Sequence, residues 1–295
     1  MPLSKTKNTA MPMKSKRLPL HAACIALLLA GAGAAHAIDC RKAGNRVEHM
    51  ICADARLKAA DAEMGKAYAA LVQQAGNDAE LRAMLVRSQK RWIEARDTRF
   101  DSPMDYPGAP DAAALPHNLL QEMRARTRAL SEPGKADRAV PRLLEAAQAQ
   151  RRFLAQFTGG PFAGFATSCD FLPGGQQLSY GCFSDRSYQH HERVCTLRDD
   201  WASGRYYQTR LVGDVVQGKL HTVAACGDGS EGGSPCPEAD GTARAGAHWN
   251  LQPGLAASTP KASPKLDAEA ELGAEETAWL RACLTDPRYP QGAAR

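Results

Sequence analysis

Gln89, Trp92 and Arg96 stand at i, i+3 and i+7, a spacing that puts all three on one face of a helix. An amide, an indole and a guanidinium so arranged position and bind; they do not break bonds. The guanidinium takes a carboxylate bidentately, and Asp61 or Glu48 on neighbouring segments is its expected partner. Such a cluster reads first as a network that fixes helix register and second as a binding surface. Other reactive side chains are dispersed. His190 and His191, followed by Glu192, fall on adjacent positions of a strand, where side chains alternate between faces, so the two imidazoles are not expected to chelate together. Ser179, Ser184 and Asp185 have no His in a recognisable nucleophile–base arrangement. The glycines of 160–164 and 227–233 lack the Lys-Ser/Thr of a phosphate loop. The sequence therefore predicts no catalytic residue, no metal ligand and no cofactor, and the chain is read as not an enzyme.

The elements that must position these residues divide by composition. Residues 38–131 are rich in the good helix formers Ala, Leu, Glu, Lys and Arg. Asp54 is placed to cap a helix from about Ala55 to Ala75 that Gly76 ends, with an apolar stripe of Leu57, Ala60, Met64, Ala67, Tyr68 and Leu71. Asn77 or Asp78 caps a second helix to about Phe100, with the stripe Leu81, Leu85, Ser88, Trp92 and Ala95. A third runs from about Pro116 through Leu119, Leu120, Met123 and Thr127 to Leu130, and a short turn over Glu48–Ala53 precedes them all. Residues 132–157 read as a linker and a connecting helix, Arg142 to Phe157. From Thr158 the period changes: short apolar runs at 162–169, 177–183, 192–197, 205–212, 219–226 and 247–251 alternate with Gly turns, so 158–255 is expected to be a small antiparallel β-domain. Residues 227–241 and 252–270 read as mobile loops, and 256–295 as a linker plus a C-terminal helix near Ala274–Leu284. The expected class is α+β, an antiparallel helical bundle followed by a disulfide-rich antiparallel β-domain.

Residues 1–37 read as an export signal: Lys14, Lys16 and Arg17, an apolar run from Cys24 to Gly33, and Ala35-His36-Ala37 as the cleavage site. The apolar run is too short to span a bilayer. Loss of this segment would remove five of the 37 basic residues and none of the 32 acidic ones, leaving no formal net charge and no electrostatic case for nucleic acid or an anionic membrane. It would also remove Cys24 and leave eight cysteines: Cys40, Cys52, Cys169, Cys182, Cys195, Cys226, Cys236 and Cys283. An even count in an exported chain reads as disulfides, and with no C-x-x-C spacing a zinc ribbon or thioredoxin motif is not expected. Cys169, Cys182 and Cys195, spaced by thirteen, suit neighbouring strands of a meander, but six cysteines allow fifteen pairings and the spacing chooses none.

Taken in order, Cys40, Glu48-x-x-Ile51-Cys52, Asp54-x-x-Leu57-x-x-x-Asp61, Tyr68, Gln89-x-x-Trp92-x-x-x-Arg96-Asp97 and Arg126-Thr127-x-x-Leu130 resemble the LprI-like family of bacterial lysozyme inhibitors, over residues 40–131. The family usually carries a Cys three residues after the Arg-Asp pair, where this chain has Phe100, and another near the start of the last helix, around Asn118–Leu120. Their joint absence, set in the family pattern, implies that Cys40 pairs with Cys52. The resemblance implies a periplasmic or secreted envelope protein whose partner is lysozyme. A non-catalytic envelope module and, less favoured, a hydrolase with its site in the β-domain are the alternatives. A partner of lysozyme would present an acidic face to a cationic enzyme or insert a basic or hydroxyl-bearing loop into its cleft. Asp101, Asp105 and Asp111, on the loop after the second helix, are the expected contact residues, whereas Glu48, Asp61, Tyr68, Gln89, Trp92, Arg96 and Asp97 are expected to hold the fold.

Overall fold

Four helices open the chain in the computed structural model, which describes residues 37–101, 111–174, 177–202, 204–229, 232–238, 245–257 and 263–290. They are α1 (Arg46–Ala53), α2 (Ala55–Gln74), α3 (Ala79–Asp101) and α4 (Leu115–Ser131). The export segment read from the sequence lies outside the described residues, apart from Ala37. Among the described residues, no helix is long and apolar enough to cross a membrane.

The local signals account for the helix ends. Asp54 accepts the backbone N–H of Arg56, and Asp78 those of Glu80 and Leu81, supplying acceptors to first-turn amides that have no intrahelical partner. Gly76 takes the left-handed conformation after α2, with φ of 57°, which a side chain would strain. The turn expected at Glu48–Ala53 is instead a helix. Asn45 caps it, its Oδ1 accepting Glu48 N at 2.8 Å, while Glu48 returns a carboxylate oxygen to Gly44 N at 2.6 Å. The apolar stripes of α2 and α3 are buried except Ala67, which is half-buried.

A closed loop comes after α4: Pro133 bridges Pro141, and Gly134 N donates to Val140 O at 2.8 Å. Then comes α5 (Arg142–Leu154), three residues shorter than its sequence pattern. Five strands, β1 (Gly164–Gly174), β2 (Gln177–His190), β3 (Arg193–Ala202), β4 (Arg205–Val216) and β5 (Lys219–Gly227), form one antiparallel meander in chain order. The sixth run, 247–251, adds no strand: Asn250 makes an isolated bridge to Ala225. Gln217 and Gly218, with φ of 51° and 74°, make the positive-φ turn that a two-residue hairpin requires. The chain closes with α6 (Ala274–Thr285).

Two apolar cores meet in this body. One holds the helical stripes together with Phe171 of β1, Leu178 of β2 and Leu266. The other packs Phe153 of α5 and Trp279, Leu280 and Cys283 of α6 on the inner face of the sheet, against Phe165, Tyr188, Leu197 and Val212. Residues 266–270, expected as part of a mobile loop, are not one: Leu266 and Ala270 are 1 % exposed and Asp267 4 %. In the expected loop 227–241, the described residues 227–229 and 232–238 are pinned by Cys226–Cys236 and by Gly227 N donating to Ser234 O at 2.7 Å; the others lie outside the described residues. All eight cysteines named above are paired: Cys40–Cys52, Cys169–Cys182, Cys195–Cys283 and Cys226–Cys236. Cys169 and Cys182 are direct cross-strand partners, and Cys195–Cys283 ties β3 to α6.

Candidate functional site

The residues of the N-terminal pattern converge inside the helical layer. Trp92 is 1 % exposed and meets Phe171 edge-on with ring centroids 6.0 Å apart; the Arg96 guanidinium lies 5.7 Å from the centre of the indole. The carboxylate beside Arg96 is neither Asp61 nor Glu48. It is Asp97, 2.7 Å from Nε and 2.6 Å from the terminal nitrogen. The immediate neighbour wins because it needs no reach across helices, and the other two carboxylates are committed to backbone amides. Asp61 accepts Ile38 N at 2.7 Å, holding the segment before α1 against α2, and Glu48 serves the α1 cap. The second oxygen of Asp97 accepts Asn45 Nδ2 at 3.0 Å, so the cap of α1 is fastened to α3.

Next to this lies a charged cluster whose full membership the sequence did not disclose. Arg126 of α4 donates to Gln89 Oε1 at 3.1 Å and to Ser88 Oγ at 2.8 Å. Arg91 holds Asp267 bidentately, at 2.8 and 2.9 Å, and also pairs with Glu269. Glu269 accepts Ser88 Oγ and lies 3.9 Å from Arg126, and Arg87 donates to Leu266 O at 2.9 Å. Burial pushes the Glu269 carboxyl above the usual range against the pull of Arg91, and pushes the Arg126 guanidinium down. Burial likewise raises the Tyr180 and Tyr68 hydroxyls. Two cations facing two carboxylates in a nearly dry interior hold segments together. Tyr68, Gln89, Trp92 and Arg96 are too buried to meet a protein partner directly.

The sheet has a charged knot of its own. Arg186 of β2 pairs with Asp199 of β3 at 2.5 Å and with Glu276 of α6 at 2.8 Å, while Arg210 of β4 pairs with Glu275 at 2.6 Å. Glu275 and Glu276 stand in the first turn of α6, where the helix dipole also favours negative charge. The outer face of the sheet carries a trough of about 360 Å³ crossing all five strands, with Asp185, Ser187, Thr196 and Arg198 on its floor. Asp185 is held by Arg198 at 2.9 Å, and no second carboxylate lines the trough among the described residues, so it lacks a matched acid and base.

His190 and His191 depart from the sequence expectation. His191 sits in the turn after β2 with φ of 51°, so the alternation of a strand does not apply and the two rings approach to 4.3 Å between centroids. His190 Nδ1 accepts Thr158 N at 3.2 Å. Among the described residues no group of three or more His, Cys, Asp or Glu is placed to hold a metal.

Exposed carboxylates of the helical layer include Glu63, Glu80 and Glu94 along α2 and α3, and Asp101 and Asp111 where α3 ends and a 3-10 turn (Ala112–Ala114) leads into α4. Asp101 is exposed at the last residue of α3, and its carbonyl accepts Arg46 at 2.9 Å. Asp111 is exposed, with its Oδ1 capping Ala113 N at 3.1 Å. Asp105 lies outside the described residues. The partly exposed Asp97 stands one helical turn before Asp101. No curated protein and no solved structure matches the chain. Residues 39–130 match the family model described as lysozyme inhibitor LprI, so the part of the chain spanning α1 to α4 is LprI-like.

Proposed function

We propose that this is an exported bacterial envelope protein, its leader removed near Ala37, that binds and inhibits lysozyme through its helical layer. The observation that carries the reading is the match of residues 39–130 to the lysozyme-inhibitor family. The four disulfides suit an oxidising compartment outside the cytoplasm. Within the helical layer the contact residues are the exposed Asp101 and Asp111. Lysozyme is cationic, and exposed carboxylates there speed encounter and orient the enzyme. The pattern residues Arg96 and Asp97 act at one remove: with Asn45 they set the angle at which α3 delivers Asp101. The protein acts by occupying its partner rather than by chemistry of its own.

The test is a titration of c-type and g-type lysozymes in a cell-wall hydrolysis assay, with the Asp101→Lys/Asp111→Lys variant beside the wild type. Inhibition by the wild type that weakens about tenfold or more in the variant, and weakens with added salt, is the expected result. Inhibition undiminished in the variant relocates the contact surface. A wild type that binds neither enzyme sinks the reading and leaves the non-catalytic envelope module.

A further inference from the structure

Between α5 and α6 lies a groove of about 350 Å³, within the range of small-molecule sites. Its floor is apolar: Ala146 and Ala149 of α5 leave the space, and Phe153 and Leu272 line it. Two arginines line the same groove. Arg281 of α6 is held over the Phe153 ring, 5.6 Å from its centre, which pre-orients the guanidinium. Arg152 projects from the last turn of α5. Both are exposed, and neither has an ion-pair partner among the described residues. The remaining carboxylate of the lining, Glu271, is paired with Arg142. Gln150 is spent on the backbone of Asp267 and Ala270, at 2.9 and 3.0 Å. The groove thus joins an apolar bed to two uncompensated positive charges.

We propose that this groove binds a monomeric amphiphilic anion: an aliphatic chain lying on Ala146, Ala149, Phe153 and Leu272, with its carboxylate between Arg152 and Arg281. A neutral apolar ligand would leave both guanidiniums unused, and a small inorganic anion would leave the floor empty. A bilayer surface fits less well than a single molecule. The exposed large hydrophobics among the described residues are Val86, Tyr206, Val216 and Leu251, none of which lines this groove to anchor it in lipid.

The experiment is a titration of the purified protein with decanoate below its micelle concentration, monitored by calorimetry and by amide shifts. Decanol and phosphatidylglycerol vesicles form the parallel arms. Saturable one-to-one binding of decanoate is expected, with shifts confined to α5 and α6. Decanol should bind at least about tenfold more weakly, and Arg152→Gln and Arg281→Gln should each weaken decanoate about tenfold, the scale of a lost charge-assisted contact. Ala149→Trp fills the groove without altering charge and should abolish binding; if it fails to fold, the two arginine variants at exposed positions decide. Equal binding of decanoate and decanol, unchanged affinity in both arginine variants, association with vesicles only, or no binding at all overturns the proposal. The readout is direct binding, so the outcome is independent of whether lysozyme is inhibited.

Discussion

Along α2, α3 and α4 the buried face is a run of Leu, Met, Ala, Tyr, Trp and Phe interrupted by Asp61, Ser88, Gln89, Arg96, Asn118 and Arg126. On the inner face of the sheet the apolar residues share space with Arg186, Asp199 and Arg210, and α6 supplies a carboxylate to each of the two arginines. The helical layer carries one short-range disulfide, Cys40–Cys52 at a sequence separation of 12, whereas the sheet is tied to α6 at a separation of 88. The helices are secured by contacts whose pattern is local in sequence. The sheet is secured by a segment that arrives last. The junction between them, Phe171 against Trp92 and Phe100, and Asp267 and Glu269 against Arg91, makes the two depend on each other.

The comparison breaks most visibly at the disulfides. Closing an 88-residue loop is worth about 4–5 kcal/mol by chain entropy, against about 3 kcal/mol for the loop from Cys40 to Cys52. Cys195→Ala/Cys283→Ala is therefore expected to cost more than Cys40→Ala/Cys52→Ala in urea unfolding. It should also expose the inner sheet face, where Arg186 and Arg210 would lose Glu276 and Glu275. Equal losses in the two double variants would show that α6 stays docked without its covalent tie.

Trp92→Ala tests the junction from the other side. Emptying a site 1 % exposed costs about 3–5 kcal/mol. Because Phe171 packs on that indole, amide exchange in β1 and β2 should accelerate along with exchange in α3. Protection retained in the strands while α3 opens would mean the two layers fold independently.

The same contrast decides how much was legible. Leu57, Met64, Tyr68 and Leu71 recur at helical spacing, and the residues that resemble the lysozyme-inhibitor family lie within one continuous stretch, so the helical layer could be read from its own residues. The strand runs and Gly turns announced a meander, since hairpin partners are near in sequence. The charged clusters were not legible, because Arg91 meets Asp267 from 176 residues away and Ser88 meets Glu269 from 181. The stretch around Ser263, Pro264 and Lys265 has linker composition, yet Leu266 and Asp267, directly after it, are buried. The signal that was available is the set Asp267, Glu269 and Glu271, three carboxylates within five positions that need cationic partners. Periodicity assigns Arg96 the wrong carboxylate because it ranks residues by face and ignores the neighbour one position on. Of the contact residues expected from the acidic loop, Asp101 and Asp111 are exposed, and exposure alone does not make them an inhibitory surface.

Arg126→Met separates a paired charge from a merely buried one. The guanidinium is 7 % exposed and is the donor to Gln89 and Ser88, so its loss leaves two buried polar groups without it and weakens the balance around Glu269. A cost of about 3 kcal/mol is expected. Adding Glu269→Gln should restore part of it, because the second change removes the charge the first left short of a partner. Strictly additive losses in the double-mutant cycle would mean Arg126 and Glu269, 3.9 Å apart, do not interact across that gap.

Glu269 alone gives the smallest effect and fixes the sign of the cluster's response to pH. Burial raises its carboxyl pKa, and Arg91, Ser88 and Arg126 offset only part of that shift. A folded-state value above the unfolded one means that the native state binds the proton more tightly. The contribution is fully present below the unfolded pKa of about 4.3 and is lost as pH rises through the higher folded value. Glu269→Gln removes this titration, so the stability difference, wild type minus variant, should be largest near pH 4 and shrink towards neutrality. Urea unfolding of both proteins at several pH values between these limits measures it. A difference that instead grows with pH would mean the pairing with Arg91 outweighs burial. The strap at 266–270 would then be held chiefly by its ion pairs rather than by the buried Leu266 and Ala270.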